Sequence, residues 1–178
     1  MKKLLSMILA LTMVLTLAAC GGEKAPEADA ESGAVDLTAF YNELAETYNW
    51  VDSEGDPNDF DEEAVVMMNL TAEPEFLENY YPGLSEIPTK QLIAQAPMIS
   101  AVANEVVFVE CENEEDAAKV TEILQNRVTV QVEGGAWYPE TVEAWKQAQV
   151  ITNGAFVGMI VAQGVQTEAV DAFNALFA

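Results

Sequence analysis

Histidine is missing from the chain altogether. Its absence removes the Ser-His-Asp triad, the Cys-His pair and the histidine-ligated zinc site together, because each needs an imidazole as base or ligand. Positive charge is nearly as scarce: Lys and Arg number 7 against 30 acids, a formal net charge of −23. Phosphate recognition needs a cationic face, so nucleic acid is excluded as a partner, and anionic lipid headgroups repel such a domain. Cysteine occurs only twice, which leaves no disulfide framework. What remains is 51% hydrophobic over 178 residues, enough for one ordinary domain with a buried core plus a disposable segment.

Long apolar runs are also few, and the one that exists stands at the start. Lys2 and Lys3 precede sixteen residues, 4–19, without a charge. That is the pattern of a secretory signal, and it is short for a spanning helix. The run ends in Leu17-Ala18-Ala19-Cys20, which resembles the lipobox of bacterial lipoproteins. On that resemblance residues 1–19 are a signal peptide, and Cys20 becomes the first residue of the mature chain, carrying a diacylglyceryl thioether. Two or three acyl chains, at about 0.8 kcal/mol per buried methylene, hold a soluble domain on a bilayer where one does not. Without Lys2 and Lys3, five cations face thirty acids, a net of −25, so the lipid must do the anchoring. Residues 20–36, including "GGEKAPEADAESGAVD", carry no periodic apolar positions and read as a tether with a reach of roughly 20 to 24 Å.

With Cys20 alkylated, Cys111 has no intrachain partner. A catalytic thiol needs a cationic neighbour to lower its pKa. "VECENEED" surrounds Cys111 with carboxylates instead, so it reads as a small apolar filler at a strand end.

Residues 37–178 are expected to form a single α+β domain. Asp36 is placed to cap a helix whose Leu37, Phe40, Tyr41, Leu44 and Tyr48 share one face. After the acidic stretch "DSEGDPNDFDEE" and the Met67-Met68 pair, read as core packing, Thr71 is a candidate cap for a short helix stopped by Pro82-Gly83. Residues 98–103 and 106–111 read as the two strands of a hairpin turning at Asn104-Glu105. Asn113 caps the next helix, with Asp116 three residues on, and "RVTVQV" is assigned to its end rather than to a strand. Pro139 opens a further helix, Asn153-Gly154 marks a second hairpin, and Thr167 is expected to cap a last helix bearing Val170, Phe173 and Phe177. Two hairpins predict one mostly antiparallel sheet of about four strands with helices on one face.

The stretch from "KQLIAQAPMISAVANEVVFVEC" through Arg127, "GGAWYP" and "ITNGAFVGMIV" resembles the bacterial lipoprotein family catalogued as domain of unknown function 4358, over about residues 67–178. The resemblance implies an envelope lipoprotein with no assigned activity and supplies no functional residues. Counting Asp52 as the first position, residues 52–63 have the acid spacing of an EF-hand loop, but Pro57 occupies the position that needs glycine, so a solvated acidic loop is expected, with weak divalent-cation binding as an alternative. Trp137, Tyr138 and Trp145 offer a sugar or peptide platform, or else core packing. The expectation is therefore a lipid-anchored extracytoplasmic binding or scaffold module, not an enzyme, with no cofactor or metal. Its partner is an unidentified envelope protein or glycan, and its oligomeric state is open. A carboxylate-dependent enzyme acting on envelope glycans is the alternative.

Overall fold

The computed structural model describes residues 34–56 and 62–178. The signal segment, Cys20 and most of the tether lie outside the described residues, as does the middle of the acidic loop. Residues 34–178 form one compact unit.

Strand β4 (Asn104–Cys111) explains the architecture. Its sequence, NEVVFVEC, is apolar at consecutive positions rather than at alternate ones. A strand covered on one face only alternates, so a continuous run implies cover on both. Val107, Val109 and Cys111 enter one buried cluster, and Val106 and Phe108 enter another on the opposite face. The first cluster is closed by α2 (Pro74–Tyr80), α3 (Glu114–Val130) and α4 (Pro139–Gln147), the second by α1 (Leu37–Tyr48) and α5 (Gln166–Ala175).

The sheet has six strands in the order β1-β2-β3-β4-β6-β5. Beside β4 lie β3 (Thr89–Pro97) and β6 (Phe156–Ala162), both antiparallel to it, with Val107 opposite Met159 and Phe108 opposite Gly158. Outward lie β5 (Gln149–Asn153) on one side, and β2 (Val65–Asn69) and β1 (Trp50–Asp52) on the other; β1 and β2 are parallel. The α+β class holds, but a mixed six-stranded sheet with helices on both faces replaces four strands covered on one.

The first expected hairpin is displaced. Residues 98–103 are not a strand but the β3–β4 connection, where Met98 and Ile99 stand 58% and 61% exposed. Asn104-Glu105 is the start of β4, not a turn, since both side chains have partners within the fold: Asn104 Oδ1 accepts from the Gln163 amide at 2.7 Å, and Glu105 pairs with Arg127. The strand that pairs ahead of β4 is β3, hidden in the sequence by Gln91 and Gln95. Gln91 ties α1 to the sheet, because its Oε1 accepts from the Leu37 amide and its Nε2 donates to the Val35 carbonyl.

Asp36 caps α1 and Asn113 caps α3 as expected, each accepting a backbone N–H three residues on. Two other caps are corrected. Thr71 bonds through its amide and hydroxyl to Asn69 Oδ1, and α2 opens at Pro74. Thr167 lies inside α5, whose Gln166 side chain is fastened to β6 by accepting from the Ala162 amide and donating to the Ile160 carbonyl. The second hairpin stands one residue later than expected: Asn153 pairs with Phe156, so Gly154 and Ala155 are the central residues, and Gly154 takes φ 56°. Helix α3 continues through "RVTV" as assigned. It then widens into a π-type turn, Gln131–Gly135, that Gly134 ends at φ 145°.

Candidate functional site

The last turn of α3 carries the chain's only arginine, Arg127, and aims it at the start of β4. There its Nε donates to Glu105 Oε1 at 2.8 Å and its Nη2 to Glu105 Oε2 at 2.7 Å. The Glu105 side chain is 4% exposed and that of Arg127 16%. A third donor, the hydroxyl of fully buried Tyr81 just beyond α2, reaches Glu105 Oε1 at 2.7 Å. The guanidinium also lies over the Tyr80 ring at 4.5 Å and near the Trp145 ring at 5.4 Å. Three helices and a central strand thus hold one cation in a fixed plane.

The electrostatics follow from this packing. Burial on its own pulls the Arg127 pKa down, but the Glu105 hydrogen bonds and charge outweigh it and leave the group above its ordinary value. Tyr81 is held well above the usual phenol range, first by burial and then by the Glu105 charge it faces. Tyr80 is raised in the same direction by burial, then by Glu105, with Arg127 opposing. Both phenols therefore stay neutral donors or acceptors around a charged pair.

Above this pair lies a cleft of about 420 Å³. One wall is the β3–β4 connection, contributing Met98, Ser100 and Val102; the other is the end of the π-type turn, with Gln131, Ala136 and Trp137. Trp137 is 86% exposed. Thr141 and Trp145 of α4 complete the enclosure. Among the described residues Glu105 is the one carboxylate in the lining, and its two oxygens already hold three donors. On the guanidinium, the edge facing away from Glu105 is different. Nη1 has no protein acceptor among the described residues, and no buried side-chain nitrogen there lacks a partner, so this edge is open.

The sequence-derived candidates fall in several places. Trp137 and Trp145 meet at the cleft, the first as an exposed rim and the second buried; Tyr138 is half-exposed and does not line it. Cys111 is fully buried, its thiol pushed up by burial and then by Asp116 and Glu110. Met67 is fully buried and Met68 packs at the core's edge, so both are packing residues. In the acidic loop, Asp52 Oδ1 accepts from the Glu54 amide at 2.8 Å, while residues 57–61 lie outside the description. Among the described residues no three acids or thiols converge as a cation site, and no helix is long and apolar enough to cross a membrane.

Glu105, Tyr80 and Tyr81 were missed by sequence reasoning. A solitary arginine in an acidic chain, and a glutamate leading an apolar run, were the available signals.

No curated protein and no solved structure matches the chain. One family model does, described as Domain of unknown function (DUF4358), and it matches residues 62–162. The matched segment runs from β2 to β6 and takes in Tyr81, Glu105, Arg127, Trp137 and Trp145, and the chain belongs to this family.

Proposed function

We propose that this chain is a ligand-binding module of the cell envelope, held at the extracytoplasmic face of a membrane by acyl groups on Cys20, with the Arg127 cleft as its binding surface. The observation that supports binding is the open edge of a guanidinium whose charge, plane and position are all fixed by neighbours. Pre-formed polar groups at the base of a concave site are what small-ligand recognition uses. The lipobox-like segment supports the location. An enzyme with a carboxylate pair needs two free acids across a cleft. Among the described residues this cleft has Glu105 alone, already engaged, so no observation favours that reading over binding.

The test places a photo-activatable amino acid at position 98, an exposed cleft residue, of the full chain in intact cells, alongside a Cys20→Ser version. The expected result is light-dependent cross-links to envelope material in the membrane fraction, with fatty-acid label lost and the chain released in the Cys20→Ser version. Unlabelled native chain in the medium overturns the anchoring, and an absence of cross-links overturns the binding.

A further inference from the structure

Resting on the binding reading above, we infer that the Arg127 cleft takes an uncharged glycan bearing acylamino groups, with a pyranose ring on Trp137 and an amide oxygen on the open guanidinium edge.

Charge decides the first part. A guanidinium has two edges able to grip paired acceptors, and Glu105 fills the Nε/Nη2 edge of Arg127. The pair is already neutral, and among the described residues no second cation lines the cleft. An anionic ligand would add an uncompensated charge to a half-enclosed site in a chain of net charge −23. A neutral oxygen acceptor adds none and still satisfies the free N–H groups. An amide carbonyl is a strong neutral acceptor, and its methyl has Met98 and Val102 to lie against.

Shape decides the second part. Trp137 presents a flat indole face at the rim, matching the apolar C–H face of a pyranose. Around it Ser100 and Gln131 are uncharged hydrogen-bonding groups. A volume of about 420 Å³ lies within the range of small-ligand sites. An extended peptide would look for a free strand edge to pair with. The strands beneath the cleft, β3 and β4, are each paired on both sides, so none is offered.

The experiment uses the full chain in detergent, titrated by calorimetry with the β-1,4-linked tetramer of N-acetylglucosamine. Binding is expected, unchanged between low and high salt, and weaker by about tenfold both for Trp137→Ala and for the tetramer of plain glucose, which lacks the acetamido groups. Trp137 is almost fully exposed, so its removal leaves the fold alone. No heat at about 10 mM ligand, or an affinity unmoved by Trp137→Ala, overturns the inference. So does equal binding of the glucose tetramer, which dispenses with the acylamino group. Cross-links at position 98 in cells without binding of this tetramer would leave the binding reading standing and remove the glycan; loss of both removes both.

Discussion

Removing the charge of Arg127 is the most informative single change to this fold. Two unit charges about 4 Å apart attract by about 4 kcal/mol at an effective dielectric near 20. Arg127→Met deletes that attraction, two hydrogen bonds to Glu105 and the stacking on Tyr80 and Trp145. It leaves Glu105, 3% exposed, with the Tyr81 hydroxyl as its remaining donor. Breaking a buried pair from one side costs about 3–5 kcal/mol. At about 2–4 °C per kcal/mol for a domain of this size, the melting temperature should fall by about 10 °C. The decisive comparison is the triple variant Arg127→Met, Glu105→Leu, Tyr81→Phe, which withdraws every polar partner together. Apolar replacements of similar volume are neutral to stabilising in such settings, so the triple variant should recover to within about 2 kcal/mol of the native chain. Equilibrium urea unfolding followed by tryptophan fluorescence reads all of these. A single variant within about 1 kcal/mol of native, or a triple variant no better than the single, would refute the picture of a desolvated pair.

Two further outcomes test the packing and the titration behaviour. Gly158 of β6 lies under Phe173, and a Cβ there would come within 2.9 Å of Phe173 Cζ. That ring is fully buried and stacked 5.5 Å from Phe108, so it cannot swing aside; Gly158→Ala should cost about 1–3 kcal/mol in thermal melts, and an unchanged midpoint would contradict it. Stability should also fall in alkali. Burial, with Asp52 second, pushes Tyr41 up to about 12 from 10.0, and burial raises Cys111 from 9.0. The folded chain therefore holds these protons longer than the unfolded one. Their contribution is complete below the unfolded values and is lost as pH rises through the folded ones, up to about 12 for Tyr41. Urea midpoints should decline above about pH 9, less steeply in Tyr41→Phe, and a flat profile to about pH 11.5 would exclude this.

Local chemistry was legible in the sequence where a residue acts on its own neighbours. Asp36 and Asn113 cap helices through an amide three residues away, and Pro139 opens α4, because such contacts need nothing distant. Thr71 failed as a cap because it is spent on Asn69 and α2 opens later, at Pro74, and Thr167 because α5 has already begun at Gln166. The first hairpin was misplaced for a long-range reason. Glutamines within "KQLIAQA" look like loop residues until Gln91 is seen tying the start of α1, 54 positions away in sequence, to the sheet. Likewise Glu105 reads as a turn residue until Arg127 arrives, 22 positions on, to neutralise it. The second layer of helices was invisible for a related cause: a run such as VVFV fits one buried face or two, and which helices close it depends on topology. Trp137 and Trp145 could be nominated together from composition. That one is rim and the other wall follows from the turn between α3 and α4.

Why a polar pair sits at the base of this cleft can be argued from what else holds α3 to the sheet. Ala117, Val120 and Leu124 are completely buried against β4 and β6 and carry that packing by themselves. The Arg127–Glu105 pair adds little that leucine and methionine would not supply. What apolar residues cannot do is hold two N–H groups, packed near Tyr80 and Trp145, toward a space next to an exposed indole. Stability and recognition therefore separate at this position. The triple variant should stay within about 2 kcal/mol of the native chain and yet fail to bind the N-acetylglucosamine tetramer, whereas Trp137→Ala should weaken binding with no change in the urea midpoint. A triple variant that still bound the tetramer with native affinity would assign the pair to the architecture alone and leave Trp137 without a partner at the base of the cleft.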